Sequence, residues 1–369
     1  MEELKIRRGE KAIYDIILND SYKSLQFHLV DLGINHLKAC IVCDSNTAGL
    51  YLKTVRDIFM SVPGIGTVST FEFPAGEESK NLKNVERLYS VLIENHFERT
   101  DYLIALGGGV VGDLTGYAAA TYLRGIRFIQ LPTTLLSDVD SSIGGKTGVD
   151  FMSYKNMVGA FHQPSLVFIN TGTLSSLPKR QFASGMAEVI KHSLIADCDY
   201  FSFLKDNASS IKSLYPDSIE RMVFLSLRIK GRVVEEDPKE KGLRRLLNFG
   251  HTIGHAIEKL SGFSLFHGEC VSIGIMGASF ISMKRGLLKE SELLDIEKLL
   301  SLYELPVKVP KELKEDIDRE AILRATKSDK KMAKGHINFV LLDGIGKGFV
   351  DSSVTDDEIL SAIDFCLKS

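Results

Sequence analysis

Two histidines and a glutamate lie along one short segment in a pattern that suits a divalent metal ion. His251, His255 and Glu258 stand at positions i, i+4 and i+7, which places all three on one face of a helix. Gly250 and Gly254 leave room for a second backbone to approach this helix closely. Histidines with this spacing can bind Zn²⁺, but a Zn²⁺ site takes at least three protein ligands. The segment therefore predicts one part of a metal site.

Two further residues could complete a glutamate–histidine–histidine set. Glu188 falls in a helix-like segment where its carboxylate would otherwise sit among apolar residues, and His267 follows in a Phe-His-Gly-Glu turn. We interpret the set as a metal site, while the spacing also fits histidines that only cap helices or pack in the core. The remaining histidines have no partners nearby in sequence and are interpreted as structural or solvated: His28, His36, His96, His162 and His336. His192 follows Glu188 in the same segment.

A glycine-rich segment, Gly107–Asp113, follows an apolar strand-like run and precedes a helical one. Its G-x-G-x-x-G pattern lets a backbone approach a pyrophosphate at a helix N-terminus. The acidic residue that ordinarily follows about 20 positions later is absent, because no Asp or Glu lies between Asp113 and Asp138. Asp44 and Glu77, at the ends of other strands, could hold a ribose instead. The segment predicts a dinucleotide site of a variant type, with a plain tight turn as the alternative.

Several cations stand in small-residue contexts that suit anion binding. Lys146 lies in Ser-Ile-Gly-Gly-Lys-Thr, a partial P-loop in which Asp140 replaces the first glycine. That replacement disfavours NTP hydrolysis but leaves Lys146 as a phosphate contact. The other cations beside Gly, Asn or Asp turns could together hold a phosphate and a carboxylate, although each alone is more typical of a surface charge: Arg124, Lys155, Lys191, Lys230, Arg244, Lys330 and Lys331.

Short strands alternate with helices in the first half of the chain. The predicted elements there are strand 39–43, helix 49–60, strand 67–73, helix 81–95, strand 102–106 and strand 128–131. This alternation predicts a parallel sheet with ligands at the carboxyl ends of its strands. Helical patterns dominate after Leu177-Pro178, including 219–234 and 290–303, before a last strand at 337–342. We predict an α/β domain over residues 1–177 and a mainly helical domain over 178–369.

Composition limits the class of partner. The 45 basic residues nearly balance the 48 acidic ones, for a net charge of −3, which argues against nucleic acid or an anionic membrane as main partner. It does not exclude a small anionic substrate. No secretory signal is evident, and the apolar runs are shorter than the roughly 18 residues of a membrane span. Five scattered cysteines fit free thiols and predict a cytoplasmic protein, with Cys40 and Cys43 as buried structural thiols rather than a redox pair.

Several sequence blocks occur in an order typical of one enzyme family. They are 74–80, 107–113, 122–125, 132–136, 140–147, 155–156, 187–191 and 247–256. On these blocks the chain resembles the 3-dehydroquinate synthases, sugar phosphate cyclases that catalyse the second step of the shikimate pathway. The resemblance spans roughly residues 40–345. It implies an N-terminal NAD-binding α/β domain with a parallel sheet and a C-terminal, mainly helical metal-binding domain, usually in a homodimer.

The resemblance also implies roles for individual residues. It makes Glu188, His251 and His267 the ligands of a catalytic Zn²⁺, which Co²⁺ can replace, whereas spacing alone would have chosen His255. The implied NAD contacts are Asp44, Asn46, Glu77, Lys80, Gly108, Gly109, Val110, Asp113, Thr133, Thr134, Lys146, Lys155, Thr173, Leu174, Ser175 and Ser176. The implied substrate contacts are Arg124, Asp140, Asn156, Arg244 and one of Lys330 and Lys331. The implied catalytic residues are Lys146, Lys191, Lys230, Asn248 and His255.

The implied reaction converts 3-deoxy-D-arabino-heptulosonate 7-phosphate to 3-dehydroquinate and phosphate. Its steps are transient oxidation by NAD, phosphate elimination, re-reduction, ring opening and intramolecular aldol closure. Alternatives are another sugar phosphate cyclase, of the 2-deoxy-scyllo-inosose or valiolone type, a polyol dehydrogenase of the glycerol dehydrogenase type, and a nucleotide-binding scaffold protein. One departure from the family pattern is Pro238, which follows Asp237 and biases it towards an extended conformation.

Overall fold

The computed structural model describes residues 2–34, 36–152, 154–262, 264–313, 317–328 and 338–368. The chain divides into two compact units, Met1–Leu177 and Pro178–Ser369. Lys330 and Lys331, one of which was predicted to contact the substrate, lie outside the described residues, as does the first residue of the predicted strand 337–342. Within the described ranges, no helix combines the length and apolar character that crossing a membrane requires.

A seven-stranded sheet forms the centre of the first unit. The strands of this unit are β1 (Glu2–Arg8), β2 (Lys11–Asn19), β3 (Ala39–Asp44), β4 (Val68–Phe73), β5 (Tyr102–Gly107), β6 (Arg127–Pro132), β7 (Lys146–Phe151), β8 (Tyr154–Phe161) and β9 (Leu166–Asn170). The sheet order is β1-β2-β9-β6-β5-β3-β4. All neighbours pair in parallel except β1 and β2, while β7 and β8 form a separate antiparallel hairpin.

Helices cover both faces of this sheet. They are α1 (Leu25–Asp31), α2 (Ser45–Thr47), α3 (Lys53–Met60), α4 (Leu82–Glu94) and α5 (Gly109–Thr121). Alternate residues of β3 enter two different cores: Ile41 and Cys43 pack on one face, and Cys40 and Val42 on the other. Burial on both faces explains why the central strands read as continuous apolar runs. Cys40 and Cys43 point to opposite faces of the sheet, so they cannot form a disulfide with each other. Burial raises the pKa of each thiol to about 12. The prediction that they are buried structural thiols is confirmed.

The second unit is mainly helical. Its elements are α6 (Lys179–Ala196), α7 (Cys198–Asp206), α8 (Ala208–Lys212), α9 (Pro216–Glu236), α10 (His251–Leu260), α11 (His267–Lys284), α12 (Glu290–Leu302), α13 (Arg319–Ser328), β10 (Phe339–Leu342), β11 (Gly348–Asp351) and α14 (Asp356–Leu367). Strands β10 and β11 form an antiparallel pair. Helix α11 is buried along most of its length, which explains why its sequence is apolar all round rather than on one face.

The structure reproduces the predicted elements within a few residues and adds others. The predicted helix 49–60 begins with a π-helical turn, Ala48–Leu52, before α3. Strands β1, β2, β7, β8, β9 and β11 were not predicted. A parallel sheet was predicted, and the observed sheet differs in one respect, because β1 adds an antiparallel strand at its edge. Exposed charges occupy most of β1, so its sequence lacks the apolar signal of a buried strand.

Candidate active site

Three side chains from three helices converge in the second unit. Glu188 on α6 is fully buried, and its Oε1 atom lies 3.6 Å from His251 Nε2 on α10 and 3.4 Å from His267 Nε2 on α11. The ligand atoms of these three residues all lie within 4.8 Å of one another. Sequence spacing could not place Glu188 and His267 beside His251, because the contact is made between helices. The structure thus brings together the three predicted metal ligands.

Hydrogen bonds orient both histidine rings towards Glu188. His251 Nδ1 lies 3.1 Å from the carbonyl oxygen of Phe249, to which its N–H donates. His267 Nδ1 lies 3.3 Å from Glu258 Oε2 and donates to that carboxylate. In each ring the Nδ1–H tautomer leaves the Nε2 lone pair for a metal ion, as is common for metal-binding histidines.

Close backbone contacts hold the three helices at this spacing. A Cβ atom on Gly268 would lie 1.9 Å from the carbonyl oxygen of Ser184, so the start of α11 packs directly on α6. A Cβ atom on Gly274 would lie 1.8 Å from the carbonyl oxygen of Gly250, at the start of α10. Gly254 shows the same close approach to α11. The room that the sequence predicted at Gly250 and Gly254 is used for helix packing.

The cluster fits a tetrahedral divalent cation. Ligands about 2.1 Å from Zn²⁺ stand about 3.4 Å apart in a tetrahedron, which matches the 3.4 and 3.6 Å separations between Glu188 Oε1 and the two Nε2 atoms. Both separations exceed the usual length of an N–H···O hydrogen bond. One carboxylate and two imidazoles also form the donor set of several catalytic zinc sites. Glu188, His251 and His267 therefore suit Zn²⁺ or Co²⁺.

The electrostatics of the cluster favour positive charge. Burial, reinforced by the ammonium group of Lys191, holds the pKa of His251 well below its usual value. Burial also acts to lower the pKa of His267, but contacts with Glu188 and Glu258 outweigh it and raise this pKa to about 10. Lys191 itself forms a buried ion pair with Glu188 Oε2. The carboxylates of Glu188 and Glu258 thus favour a cation at this cluster, while the ammonium group of Lys191 offsets part of their negative charge.

The remaining predicted residues of the second unit lie on elements next to the cluster. Lys230 is buried on α9, and Arg244 and Asn248 lie on the turn Leu243–Asn248, which contacts both α6 and α9. Asn248 Nδ2 donates to Glu240 Oε1 at 2.8 Å. His255 is exposed on α10, with its ring centroid 4.9 Å from that of His251. His255 is therefore close enough to act beside a metal ion bound at His251.

The loop after α9 is folded around one carboxylate. Helix α9 ends at Glu236, and Asp237 adopts φ −139° and ψ 74°, outside the helical region as the following Pro238 led us to expect. Asp237 accepts backbone hydrogen bonds from Lys241, Gly242 and Arg244. Burial acts to raise the pKa of Asp237, but these hydrogen bonds outweigh it and lower the pKa. The carbonyl of Pro238 accepts from Arg244 Nη1 at 3.0 Å, so the loop with this departure from the family pattern still contacts Arg244.

The predicted NAD contacts of the first unit follow five neighbouring strands. Asp44 ends β3, Glu77 and Lys80 follow β4, Gly108 follows β5, Thr133 and Thr134 follow β6, and the turn Thr171–Ser176 follows β9. These strands are parallel and adjacent, so all the residues lie at the carboxyl edge of the sheet. Asn46 lies in α2, directly after Asp44.

Lys80 links several of these residues in one network. Its ammonium group lies 2.7 Å from Asp113 Oδ2, 3.6 Å from Glu77 Oε1 and 2.6 Å from Asn156 Oδ1. Lys155 Nζ approaches the same Glu77 oxygen at 4.0 Å. Burial acts to lower the pKa of Lys80, but Asp113 and Glu77 outweigh it and raise the pKa, so Lys80 is charged at neutral pH. All five residues were predicted from the sequence as site residues, but their contacts with one another were not.

The glycine segment forms the start of α5. Gly108 is the residue before the helix, so the N–H groups of Gly109, Val110 and Val111 have no acceptor within it. A Cβ atom on Gly107 would lie 2.5 Å from Val111 Cγ2. This compact turn presents free N–H groups at the carboxyl edge of the sheet, where a pyrophosphate could bind.

Three residues of the first unit that were predicted to contact substrate or phosphate lie in or next to turns. Arg124 is exposed and adopts φ +66°, directly after Leu123 at φ +49°. Two consecutive non-glycine residues with positive φ are strained, and such strain is often found at functional sites. Asp140 lies in the turn Ser137–Ser141, and Lys146 is exposed at the start of β7.

Asp138 is a buried carboxyl group that sequence analysis did not single out. It is fully buried beside Thr134 and Asp140, and neither carboxylate oxygen makes a hydrogen bond with any described residue. Burial therefore raises the pKa of Asp138 well above its usual value. The folded chain keeps a proton here that the unfolded chain loses near pH 3.8, so this group reduces stability as the pH rises above that value.

Asp138→Asn removes this titration. We expect the variant to gain stability relative to the parent chain as the pH rises from 5 to 8, by about 1.4 kcal/mol for each pH unit over which the folded parent keeps its proton. Urea denaturation at both pH values measures the effect. The same pH dependence in both proteins would contradict the prediction, even with a constant offset between them, because such an offset would reflect only the burial of the amide.

Known proteins match the chain over nearly its whole length. The family model described as 3-dehydroquinate synthase N-terminal matches residues 70–184, and the model described as 3-dehydroquinate synthase C-terminal matches residues 185–332. The 3-dehydroquinate synthase of Shewanella piezotolerans (strain WP3 / JCM 13877) is 44% identical over 364 residues, which cover 98% of this chain and 99% of that protein.

The chain belongs to the 3-dehydroquinate synthase family. This confirms the family predicted from the sequence blocks. Two solved structures resemble this family member closely at 27% identity: the 2-epi-5-epi-valiolone synthase ValA of Streptomyces hygroscopicus subsp. jinggangensis 5008, with NAD⁺ and Zn²⁺ bound (TM-score 0.86, 97% of each chain), and a 2-deoxy-scyllo-inosose synthase complexed with carbaglucose-6-phosphate, NAD⁺ and Co²⁺ (TM-score 0.88, 99% of this chain and 100% of that one). The predicted fold class is confirmed by these similarities and by the mostly parallel sheet with a helical second unit.

Proposed function

We propose that this chain is a lyase that converts 3-deoxy-D-arabino-heptulosonate 7-phosphate to 3-dehydroquinate and inorganic phosphate. The observation that carries the proposal is the convergence of Glu188, His251 and His267 in a chain that is 44% identical to a 3-dehydroquinate synthase over 98% of its length. Identity to the two related cyclases of solved structure is lower, at 27%. The higher identity favours the dehydroquinate reaction over those of the valiolone or inosose type.

The first unit, residues 1–177, is proposed to bind NAD. The N–H groups at the start of α5 would hold the pyrophosphate, and Asp44 and Glu77 would accept hydrogen bonds from ribose hydroxyl groups. Lys80 would fix Glu77, Asp113 and Asn156 relative to one another through the contacts it makes with all three. Lys146, Asn156, Arg124 and Asp140 are proposed to contact the substrate from this unit.

The second unit, residues 178–369, is proposed to bind the metal ion and the substrate. When bound, NAD supplies a hydride acceptor that the cycle regenerates, and Zn²⁺ or Co²⁺ supplies Lewis-acid polarisation of a hydroxyl group. Lys191, Lys230 and Arg244 are buried cations and would neutralise the phosphate and the carboxylate of the substrate. His255 would move a proton at its imidazole beside the metal ligands, and Asn248 would orient a substrate hydroxyl group.

The wider setting follows from the family. We propose that the chain acts in the cytoplasm as a homodimer, at the second step of the shikimate pathway that leads to chorismate and the aromatic amino acids. The near balance of acidic and basic residues argues against a polyanion as main partner and is compatible with a small anionic sugar acid as substrate. No nucleic acid or membrane partner is proposed.

Phosphate release tests the proposed reaction. The purified chain receives the heptulosonate phosphate, Zn²⁺ or Co²⁺, and NAD⁺ at about one-hundredth of the substrate concentration. We expect phosphate release well beyond one equivalent of NAD⁺, without lasting absorbance of NADH, because the reaction restores its cofactor. Product analysis by mass spectrometry should show 3-dehydroquinate.

Two other results would each identify a competing function. NADH formed in proportion to substrate consumed, without phosphate release, would indicate a polyol dehydrogenase. Faster turnover of glucose 6-phosphate, which lacks the carboxylate, would indicate a cyclase of the inosose type. Either result would overturn the proposal.

A further inference from the structure

Glu258 lies behind one of the proposed metal ligands and has no role in the function proposed above. It is buried on α10, and its Oε2 atom lies 3.3 Å from His267 Nδ1. The other nitrogen of the same ring, Nε2, lies 3.4 Å from Glu188 Oε1. An imidazole has only these two nitrogens, so a hydrogen bond from Nδ1–H to Glu258 commits Nε2 to the side of Glu188.

The two histidines differ in the acceptor that orients them. His251 donates from Nδ1 to the carbonyl oxygen of Phe249, a neutral backbone group. His267 donates to a carboxylate, which makes the ring a stronger electron donor and adds negative charge near the cation. The exposed fraction of the side chain is 29% for His267 and 12% for His251. The more exposed ligand is thus the one that a charged acceptor orients.

Helix packing fixes the distance between Glu258 and His267. Glu258 lies one helical turn beyond Gly254, where a Cβ atom would lie only 2.8 Å from the carbonyl oxygen of Cys270 on α11. Both residues therefore stand on rigid helices in direct backbone contact. A carboxylate held in this way orients the ring at no further entropic cost when a metal ion binds.

We propose that Glu258 is a positioning residue, which holds His267 as the Nδ1–H tautomer and thereby strengthens metal binding at Glu188, His251 and His267. This inference rests on the metal site of the proposed function. A different arrangement competes with it, because His255, Glu258 and His267 also have ligand atoms within 4.8 Å of one another. In that arrangement Glu258 would itself bind a second ion.

Metal affinity and stoichiometry of the whole chain test the proposal in the absence of NAD and substrate. Zn²⁺ is titrated against a chromogenic chelator, and the visible absorption of bound Co²⁺ reports the coordination geometry. We expect one ion per chain and, for Glu258→Ala, affinity lower by roughly 10- to 100-fold. Glu258→Gln keeps an acceptor oxygen but loses the charge, so its affinity should fall between those of the parent chain and the alanine variant.

A variant elsewhere separates metal binding from stability. Glu358→Gln weakens the ion pair between Glu358 Oε1 and Arg285 Nε, which lie 2.6 Å apart. It also weakens the N-terminal cap of α14, and it lies on a helix that carries none of the metal-site histidines. It should lose stability but keep the Zn²⁺ affinity and the Co²⁺ spectrum of the parent chain. Zn²⁺ affinity in Glu258→Ala equal to that of the parent chain would overturn the inference. It would also be overturned if the parent chain bound two ions and Glu258→Ala bound one, because Glu258 would then itself be a ligand. A parent chain that binds neither ion would overturn the metal site itself and the inference with it, whereas a chain that binds Zn²⁺ but releases no phosphate would contradict only the proposed reaction.

Discussion

Replacement of His251 by alanine is expected to lower phosphate release by about 10³-fold or more and to remove tight Zn²⁺ binding. His251 supplies one of three protein ligands, and its Nε2 lies 3.6 Å from Glu188 Oε1. Lewis-acid stabilisation is worth several kcal/mol, and about 4 kcal/mol corresponds to roughly 10³-fold in rate. Turnover at saturating substrate and metal content after dialysis measure the two effects. Circular dichroism should show that the variant remains folded.

Two histidine variants serve as controls for this prediction. His255→Ala should keep the metal ion while it loses turnover, because His255 is exposed beside His251 and is not one of the three proposed ligands. His28→Ala should keep both, since His28 packs against Phe168 in the first unit. Tight Zn²⁺ binding by His251→Ala would remove His251 from the ligand set. Loss of the ion in His255→Ala would instead favour the ligand pair that helical spacing alone suggested.

The sequence predicted the α/β sheet because its signal is local. Strands β3 and β5 are buried on both faces and are mostly apolar, and they end in Asp44 and Gly107, before turns that are visible in the sequence. Strand β1 carries charged residues at an exposed edge. Strands β7 and β8 contain glycines that let the two backbones approach each other closely. Edge strands and hairpins of this kind depend on tertiary pairing, so their sequences lack the pattern of a buried strand.

Residue spacing could group the residues of the site only where they share one helix. His251, His255 and Glu258 were assigned to one face of a helix, but the contact between Glu258 and His267 crosses from α10 to α11. The network around Lys80 joins the segment after β4 to α5 and β8. Contacts between elements follow from packing, which spacing does not encode. The resemblance to a family supplied the ligand set, and the structure supplied the hydrogen bonds that orient it.

Replacement of Gly274 by alanine is expected to destabilise the chain by about 3 kcal/mol and to weaken Zn²⁺ binding as well. A Cβ atom at this position would lie 1.8 Å from the carbonyl oxygen of Gly250 and 2.8 Å from the backbone nitrogen of Gly254. Both obstacles are backbone atoms, so no side-chain rotation relieves the clash and the two helices must separate. Because α10 carries His251 and α11 carries His267, their separation also widens the metal site.

Urea denaturation of the metal-free chain measures the loss of unfolding free energy, and Zn²⁺ titration of the folded variant measures the loss of metal affinity. Gly49→Ala is the matched control, because a Cβ atom there would meet nothing within 4 Å and the residue has no positive φ. Helical propensity then predicts unchanged or slightly higher stability for the control, by up to about 1 kcal/mol. If Gly274→Ala matched the parent chain in its urea midpoint, the close contact between α10 and α11 would not fix the ligand geometry. A large loss of stability with unchanged Zn²⁺ affinity would show that the ligands hold their positions by other contacts, foremost the hydrogen bonds of His251 and His267 to Phe249 and Glu258.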